Sequence, residues 1–225
     1  MKRFAIIVAG GTGSRMKTDV PKQFLILGGK PVLMHSIEKF ADCNAEVIVV
    51  LNENLFDEWK SLCGKYNFKI SHQLANGGAT RSESVFNGLK KIAETNPDNQ
   101  KEIVAIHDAA RPLVSKQLIE KLFAAAVENG NAVPAIKVAE SLRRITSEGN
   151  DTANRDEFVV IQTPQCFHFE KLFDAYQKST DLNFTDDASL FESQGYKINL
   201  VEGEKNNFKI TVAEDLKIAE ALIKD

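Results

Sequence analysis

Short apolar runs, most of them rich in β-branched residues, alternate along this chain with longer stretches whose apolar residues recur at helical spacing. The strand-like runs are 4–8, 46–51, 68–71, 102–107, 132–136 and 196–201. The helical patterns are 32–40, 55–63, 80–94, 116–128, 169–178, a stretch opened by a cap at 185–187, and 211–224. Strands separated by helices pair in parallel, because each connection must cross from one end of the sheet to the other. The pattern therefore predicts a mostly parallel sheet with helices on both faces, a three-layer α/β sandwich.

The alternation breaks once, between about residues 136 and 162. Two strand-like runs, 142–145 and 158–161, flank a polar stretch there and predict a hairpin or arm within residues 137–162. A two-stranded ribbon is only marginally stable in water, so we expect the arm to pack against another surface, such as a second copy of the chain. With no linker or repeat in the sequence, we expect one domain over residues 1–225.

The composition is that of a globular chain, with 43% apolar and 26% charged residues among 225 and a formal charge of −3. This is enough apolar material for a sizeable core, and the acidic average argues against a protein that coats nucleic acid. The first apolar run stops at Gly10 and is too short for a signal peptide or a membrane span. Cys43, Cys63 and Cys166 form no CxxC pair. We therefore expect a cytoplasmic protein with reduced thiols that binds neither nucleic acid nor membrane.

A glycine-rich segment, AGGTGSRM at 9–16, follows the first predicted strand, and Pro21-Lys22-Gln23 comes soon after it. Glycines allow a tight turn whose backbone N–H groups approach phosphate oxygens closely. Met16 stands where a dinucleotide fingerprint needs its third glycine, and the Gly-Lys-Ser/Thr of a P-loop is absent. The cations Arg15 and Lys22 favour nucleotide binding over the plain alternative, an ordinary turn with solvated charges.

A second candidate site, HDAARP at 107–112, follows the strand 102–107. Ligands of open α/β sheets bind at the carboxyl ends of the strands, where Asp108 and the Gly10 loop can converge. One or two carboxylates with substrate phosphates commonly hold Mg²⁺, so Asp108 is a candidate metal ligand. The alternatives are a turn or cap for Asp108, a surface ion pair for Arg111 and a buried, hydrogen-bonded role for His107. The four histidines lack zinc-ligand spacing.

Five motifs occur in order along the chain, namely GGTGSRM with PKQ, GG-x-x-RSES at 77–84, HDAARP, QTPQ at 162–165 and NFKIT at 207–211. With these motifs the chain resembles the IspD family, the 2-C-methyl-D-erythritol 4-phosphate cytidylyltransferases of the non-mevalonate isoprenoid pathway, from about residue 4 to 222. The resemblance implies a Rossmann-like nucleotidyltransferase sandwich, an arm used in dimerisation, a homodimer and a divalent cation such as Mg²⁺. It also implies transfer of CMP from CTP to methylerythritol phosphate with release of pyrophosphate.

The resemblance implies a role for each residue that matches a family motif. Arg15, Lys22 and Lys209 are the implied catalytic residues, which neutralise charge on the phosphates, and Asp108 is the implied metal ligand. The implied nucleotide-binding residues are Ala9, Gly10, Gly11, Thr12, Gly13, Ser14, Gly78, Arg81, Ser84, Asp108 and Ala109. The implied acceptor-binding residues are Arg111, Ser141, Arg155, Thr185 and Asp186, and in the family the positions of Ser141 and Arg155 reach across the dimer into the neighbouring site.

The chain departs from the family at Ala79 and Asn206, where some members carry carboxylates near the base and the metal, and Ser141 replaces a common threonine. One alternative function is a ribitol-5-phosphate cytidylyltransferase, which tends to carry Ser-Val where this chain has Ala109-Ala110. Alternatives of other classes are a Rossmann oxidoreductase and a nucleotide-binding protein without catalytic activity.

Overall fold

A computed structural model describes residues 1–10, 20–96 and 101–223 of the chain. The strands are β1 (Arg3–Val8), β2 (Ile26–Leu27), β3 (Lys30–Pro31), β4 (Ala45–Leu51), β5 (Gln73–Asn76), β6 (Ile103–Asp108), β7 (Asn131–Lys137), β8 (Leu142–Thr146), β9 (Gly149–Ala153), β10 (Val159–Ile161), β11 (Gln165–His168) and β12 (Leu200–Glu202). The α-helices are α1 (Val32–Ala41), α2 (Phe56–Lys65), α3 (Arg81–Thr95), α4 (Lys116–Asn129), α5 (Phe169–Lys178), α6 (Asp187–Ser193) and α7 (Ala213–Ile223).

The central sheet has the order β10-β7-β11-β6-β1-β4-β5, and β12 also pairs with β7. The half that contains β6, β1, β4 and β5 is parallel throughout. In the other half, β11 runs antiparallel to both β6 and β7, and β10 runs antiparallel to β7. The predicted α/β architecture is confirmed, with a sheet that is mixed overall and parallel around β1.

Successive residues of β1 point to opposite faces of the sheet, as the period of a strand requires. Ala5 and Ile7 belong to a core layer with α1, α2 and α4, whereas Phe4 and Ile6 belong to the layer with α3, α5 and α6. Helix α3 lies close to the sheet at Gly88, where an added Cβ would come within 2.8 Å of Ile6 Cγ2. These two buried layers hold the strand ends in place from both sides.

Local signals at the helix ends explain several boundaries. Ser115 Oγ accepts a hydrogen bond from Leu118 N (3.0 Å) at the start of α4, and Gly130, with φ +85°, ends that helix in the left-handed conformation that glycine tolerates. The predicted capping box at Thr211 is displaced by one residue, because Asp215 rather than Glu214 accepts from the backbone N–H groups of residues 211 and 212. In the described part of the chain, no helix is long and apolar enough to cross a membrane.

Two predicted strands are wrong in their bounds. Residues 68–71 form no strand; the edge strand is β5, and Phe68 instead packs its ring 6.2 Å from that of Trp59. Most of 196–201 is also irregular, since Tyr196 turns inward and stacks on Phe191 at 4.2 Å and only the end of the run joins β7 as β12. In both cases, apolar residues that alternate like a strand serve helix packing.

The arm also differs from its prediction. Strand β8 pairs with β9, closed by residues 147–148, and not with the run 158–161, which joins the central sheet as β10. Two-residue loops are the commonest hairpin connections. Strand β8 therefore pairs with the segment that follows it most closely in the sequence. The resulting hairpin is solvent-exposed along most of its length, with Ile145 81% exposed.

Candidate active site

The crevice forms where β1, β4 and β6 end side by side. Val8 lies opposite Asp108 on one side and Val50 on the other. Beyond the ladder, Ala9 N donates to Val50 O (2.9 Å) and Ala109 N donates to Val8 O (3.1 Å). Strand β4 lies on one side of β1 and β6 on the other, so the strand order reverses at β1. Open α/β sheets bind their ligands at such a point. Ala9 and Gly10, which begin the glycine-rich segment, therefore lie beside Asp108 at adjacent strand ends, as the sequence predicts.

A cavity of about 350 Å³ opens at these strand ends, with the size of a small-molecule site. Of the residues predicted to bind nucleotide or act in catalysis, the structure brings nine to its wall: Ala9, Gly10, Lys22, Gly78, Arg81, Ser84, Asp108, Ala109 and Lys209. Gly11, Thr12, Gly13, Ser14 and Arg15 lie outside the described residues.

The loop before α3 closes one side of this first cavity. Gly78 N donates to Ser84 Oγ (3.0 Å), which in turn donates to Thr80 O (2.9 Å). A Cβ on Gly78 would lie 2.3 Å from Glu83 Cβ, so only glycine fits there. Thr80 caps α3, and the carboxylate of Glu83 accepts from Ala79 N (2.7 Å), one residue before the usual capping-box donor. The hydroxyl of Ser84 thus holds the loop that borders the pocket.

Asp108 lies at the centre of a cluster of charged side chains. Its carboxylate accepts from Lys209 Nζ at 2.7 Å and from Arg81 Nε at 3.3 Å, and Arg111 Nε lies 3.8 Å away. Burial by itself would raise the pKa of Asp108, but the charges of Arg81, Lys209 and Arg111 outweigh it and hold the pKa well below its usual range. Asp108 is therefore an anion at neutral pH.

Arg81 links Asp108 to a second carboxylate, Asp187, through Nη2 at 2.8 Å. Burial would lower the pKa of Arg81, but Asp187 and Asp108 together raise it above its ordinary value. Sequence reasoning did not select Asp187 as a site residue. It appears in the sequence only as part of the helix-capping segment 185–187, and Asp186 rather than Thr185 caps α6 by accepting from Ser189 N (3.1 Å).

A second cavity of about 320 Å³ adjoins the first and shares Arg81, Asp108 and Lys209 with it. Three of the predicted acceptor residues, Arg111, Thr185 and Asp186, line it. The described residues that line either cavity do not include Ser141 or Arg155. Ser141 precedes the exposed hairpin, and Arg155 follows it, donating from Nη1 to Ala139 O (2.6 Å).

Buried polar residues, among them Thr163 of the motif at 162–165, form hydrogen bonds that hold Asp108 and Arg111 in place. Thr163 Oγ1 accepts from Asp108 N (3.0 Å) and lies 3.2 Å from His107 Nδ1. Burial lowers the pKa of His107 to about 4, so its ring is neutral at pH 7. His107 is thus a buried, hydrogen-bonded histidine of the core. Asn207 Nδ2 donates to Thr163 O (2.9 Å), and Asn207 O accepts from Arg111 Nη1 (2.8 Å). His107, Thr163 and Asn207 belong to the motifs HDAARP, QTPQ and NFKIT, but none of these motifs by itself shows that the residues support Asp108.

The described residues contain no group of three or more His, Cys, Asp or Glu side chains able to hold a metal ion by themselves. A carboxylate has about four lone-pair sites, and Arg81 and Lys209 use part of that capacity on Asp108. Asn206 is exposed in a turn and lines neither cavity. The donor set therefore fits a cation held jointly by Asp108 and substrate phosphates, and it does not fit a site made of protein ligands alone.

The family model described as IspD: 2-C-methyl-D-erythritol 4-phosphate cytidylyltransferase matches residues 4–225. The chain belongs to the IspD family. It is similar to the 2-C-methyl-D-erythritol 4-phosphate cytidylyltransferases of Azobacteroides pseudotrichonymphae (47% identical, 99% of both sequences) and Bacteroides thetaiotaomicron (43% identical, 99% of this chain and all of the relative).

Solved IspD structures have the same fold. The 4-diphosphocytidyl-2C-methyl-D-erythritol synthase of Anaerococcus prevotii superposes with a TM-score of 0.83 at 31% identity, covering all of this chain and 96% of the other. The 2-C-methyl-D-erythritol 4-phosphate cytidylyltransferase of Thermus thermophilus gives 0.81 at 32% identity, covering both chains completely. Family membership, expected from five motifs, is confirmed over the whole chain, and with it the nucleotidyltransferase class.

Gln23, on the short 3-10 helix Lys22–Phe24, lines the first cavity, and both polar atoms of its buried amide are unpaired in the described part of the chain. An unpaired buried polar group costs about 1–3 kcal/mol. We therefore expect Gln23→Met to raise the free energy of unfolding by about 1 kcal/mol in urea denaturation. The matched control is Gln162→Met, because Gln162 is equally buried but donates to Glu204 O (2.8 Å) and accepts from Glu204 N (3.1 Å). That control should lower the stability, and a loss of stability in both variants would contradict the prediction.

Proposed function

We propose that this protein transfers the cytidylyl group of CTP to the phosphate of 2-C-methyl-D-erythritol 4-phosphate, and that the transfer takes place between the two cavities that meet at Asp108. The observation that carries the proposal is the cationic cluster shared by both cavities, in a chain of the IspD family. An oxygen of the acceptor phosphate attacks the α-phosphorus of CTP; the new P–O bond forms as the bond to pyrophosphate breaks. No protein nucleophile is required, so catalysis consists of positioning and charge neutralisation.

The electrostatics of the crevice suit a reaction between two polyanions. Arg81, Arg111 and Lys209 surround Asp108, and only Lys209 among these three has more than a third of its side chain exposed. Charge interactions in such a poorly solvated site are stronger than in water. Lys22 borders the first cavity, which we propose is the nucleotide pocket. We propose that Lys22 and Arg15 stabilise the charge that develops on the α-phosphate while Lys209 holds the phosphates.

The nucleotide pocket offers the groups that a cytosine requires. Its wall at Gly78 and Ala79 exposes backbone close to the Ser84 hydroxyl, and backbone carbonyls can accept from the exocyclic amine of the base. We propose that this loop, with Gly10 and Ala9 opposite it, holds the base and ribose. Ala79 has no carboxylate to offer, so the contact there is made by backbone.

The second cavity fits the acceptor. Arg111 provides a cation for its phosphate, and Thr185 and Asp186 provide a hydroxyl and a carboxylate for its hydroxyl groups. Methylerythritol phosphate is favoured over ribitol phosphate by the family match and by Ala109-Ala110 at the turn. A divalent cation such as Mg²⁺, held by Asp108 together with the triphosphate, would supply further charge neutralisation when bound.

We also propose a homodimer in the cytoplasm. The hairpin β8–β9 is exposed, and Ser141 and Arg155 at its base are exposed as well. A partner that packed against the hairpin would bring these two side chains to its own acceptor cavity, as the family pattern implies. Cys43, Cys63 and Cys166 are unpaired, which suits a reducing compartment.

A pyrophosphate-release assay with four nucleoside triphosphates, each with methylerythritol phosphate or ribitol phosphate, tests the function. We expect release only with CTP and methylerythritol phosphate, because each of the two cavities must be occupied by the substrate proposed for it. Release with ribitol phosphate alone would assign the other acceptor. No release with any pair, from protein that binds CTP, would leave a nucleotide-binding protein.

Lys22→Ala tests the charge-neutralising role in the same assay. We expect turnover to fall by roughly three orders of magnitude, comparable to the loss of one preorganised oxyanion donor. The far-UV circular dichroism and the unfolding midpoint should change little. Activity near that of the wild type would exclude Lys22 from the reaction.

Mixing two inactive variants tests whether the site is shared between subunits. Lys22→Ala removes a residue of one protomer's nucleotide pocket, and Arg155→Gln removes a side chain proposed to act in its partner. In a mixed dimer, one site has both residues intact, so co-expression should restore turnover above that of either variant alone. If the mixture stays as inactive as the separate variants, or if Arg155→Gln alone is fully active, the shared site is wrong.

A further inference from the structure

Arg81 stands in the wall between the two cavities and lines both of them. Its guanidinium has two carboxylate partners, and the contacts are unequal. The hydrogen bond from Nη2 to Asp187 is 2.8 Å, whereas that from Nε to Asp108 is 3.3 Å. The better contact is thus with Asp187, which lines neither cavity.

Asp187 is held from several directions. Its side chain is fully buried, its Oδ1 accepts from Tyr176 Oη (2.7 Å), and its Oδ2 accepts from Arg81. Tyr176 is itself buried and stacks at 5.7 Å on Phe86, which lies further along α3 than Arg81. Asp187 is therefore a fixed anchor, and it leaves the guanidinium little freedom to rotate.

Asp187 and Arg81 each lie next to residues that line one of the two cavities. Asp187 is the first residue of α6 and directly follows Thr185 and Asp186, which line the acceptor cavity. Arg81 is the first residue of α3 and directly follows the loop that borders the nucleotide pocket. The Arg81–Asp187 ion pair thus joins the two substrate cavities at their common wall.

We propose that Asp187 is a positioning residue for the transfer, which holds the Arg81 guanidinium at the wall between the cavities and keeps it from closing on Asp108. The proposal rests on the proposed function. Apart from Asp187, Asp108 is the only carboxylate among the described residues with which Arg81 forms an ion pair, so it is the partner already in place when the anchor is removed. A planar guanidinium readily makes a bidentate pair with a carboxylate. That pairing would compete with Lys209, and with the phosphates and cation, for the Asp108 oxygens.

The first test is Asp187→Asn, which keeps the size of the side chain and a hydrogen-bond acceptor for Tyr176 but removes the charge. We expect kcat at saturating CTP and acceptor to fall roughly tenfold to a hundredfold, the scale of a misplaced group, while the KM for CTP changes less. The matched control is Tyr176→Phe, which leaves the ion pair intact. It should lower the unfolding midpoint while kcat stays within a few-fold of the wild type.

The outcomes are distinct. A lower unfolding midpoint with unchanged kcat in Asp187→Asn would show a purely structural ion pair and would overturn the proposal. Equal losses of kcat in Asp187→Asn and Tyr176→Phe would do the same, since packing alone would then explain both. The proposed function fails separately, through a wild type that does not turn over CTP with the acceptor.

A double variant keeps the test valid if Asp187→Asn does not fold. Arg81→Gln with Asp187→Asn buries no unpaired charge, which is the main hazard of breaking such a pair. Because Asp187 acts through Arg81, the nature of residue 187 should not matter once Arg81 is replaced. The double variants Arg81→Gln with Asp187→Asn and Arg81→Gln with Asp187→Leu should therefore have the same kcat, below that of the wild type. A clear difference in kcat between the two, or a double variant as fast as the wild type, would overturn the proposal.

Discussion

The structure of the crevice depends on how Asp108 is held. Its backbone N–H donates to Thr163, and its carboxylate accepts from Arg81 at the start of α3 and from Lys209 in the segment before α7. Lys209 belongs to a segment whose next residue, Ile210, donates through its backbone N–H to Ala110 O (2.8 Å). A buried carboxylate is stable only when it is paired and hydrogen-bonded, so these contacts are a condition of folding as well as of function. The loops that form the site are thereby fastened to one point on β6.

The same cluster resolves a contradiction between the chain's charge and its ligands. The formal charge is −3, yet the substrates of the proposed reaction are anions. Around Asp108 the described residues place Arg81, Arg111 and Lys209 against two carboxylates, a local excess of one positive charge before Lys22 is counted. Fields within a few ångströms and in a low dielectric decide binding, whereas distant surface charges are screened by salt. The average charge of the chain therefore says little about its ligands.

The layers of the fold could be predicted from the sequence because each depends on a local period. The run at β1 and the cap at Thr80 carry their own signals, and both elements are where the pattern indicates. The edges could not be predicted in this way. Whether 68–71 or 73–76 joins the sheet depends on which of them reaches β4, and the aromatic contact between Phe68 and Trp59 decides it. The same is true of β8, whose partner follows from the length of the turn.

The site residues also include some that the sequence predicts and some that it does not. Residues that follow a glycine turn or a buried strand, such as Gly10 and Asp108, have a position that topology determines, and they line the cavities as predicted. Asp187 has the same appearance in the sequence as any acidic residue in the first turn of a helix. Only the fold, which places α6 beside the start of α3, distinguishes it by bringing Arg81 within 2.8 Å.

Several buried polar atoms near the crevice have no hydrogen-bond partner among the described residues. They include the amide of Gln23, Nη1 of Arg81 and Nε of Arg111. Most of these are donors, and a core selected for stability alone would not retain them, since each unpaired group is costly when buried. The proposed substrates, a triphosphate and a sugar phosphate, would bring many acceptor oxygens to the same place. Unpaired buried groups thus occur at the proposed substrate site, where a chain is expected to depart from the rules that favour stability alone.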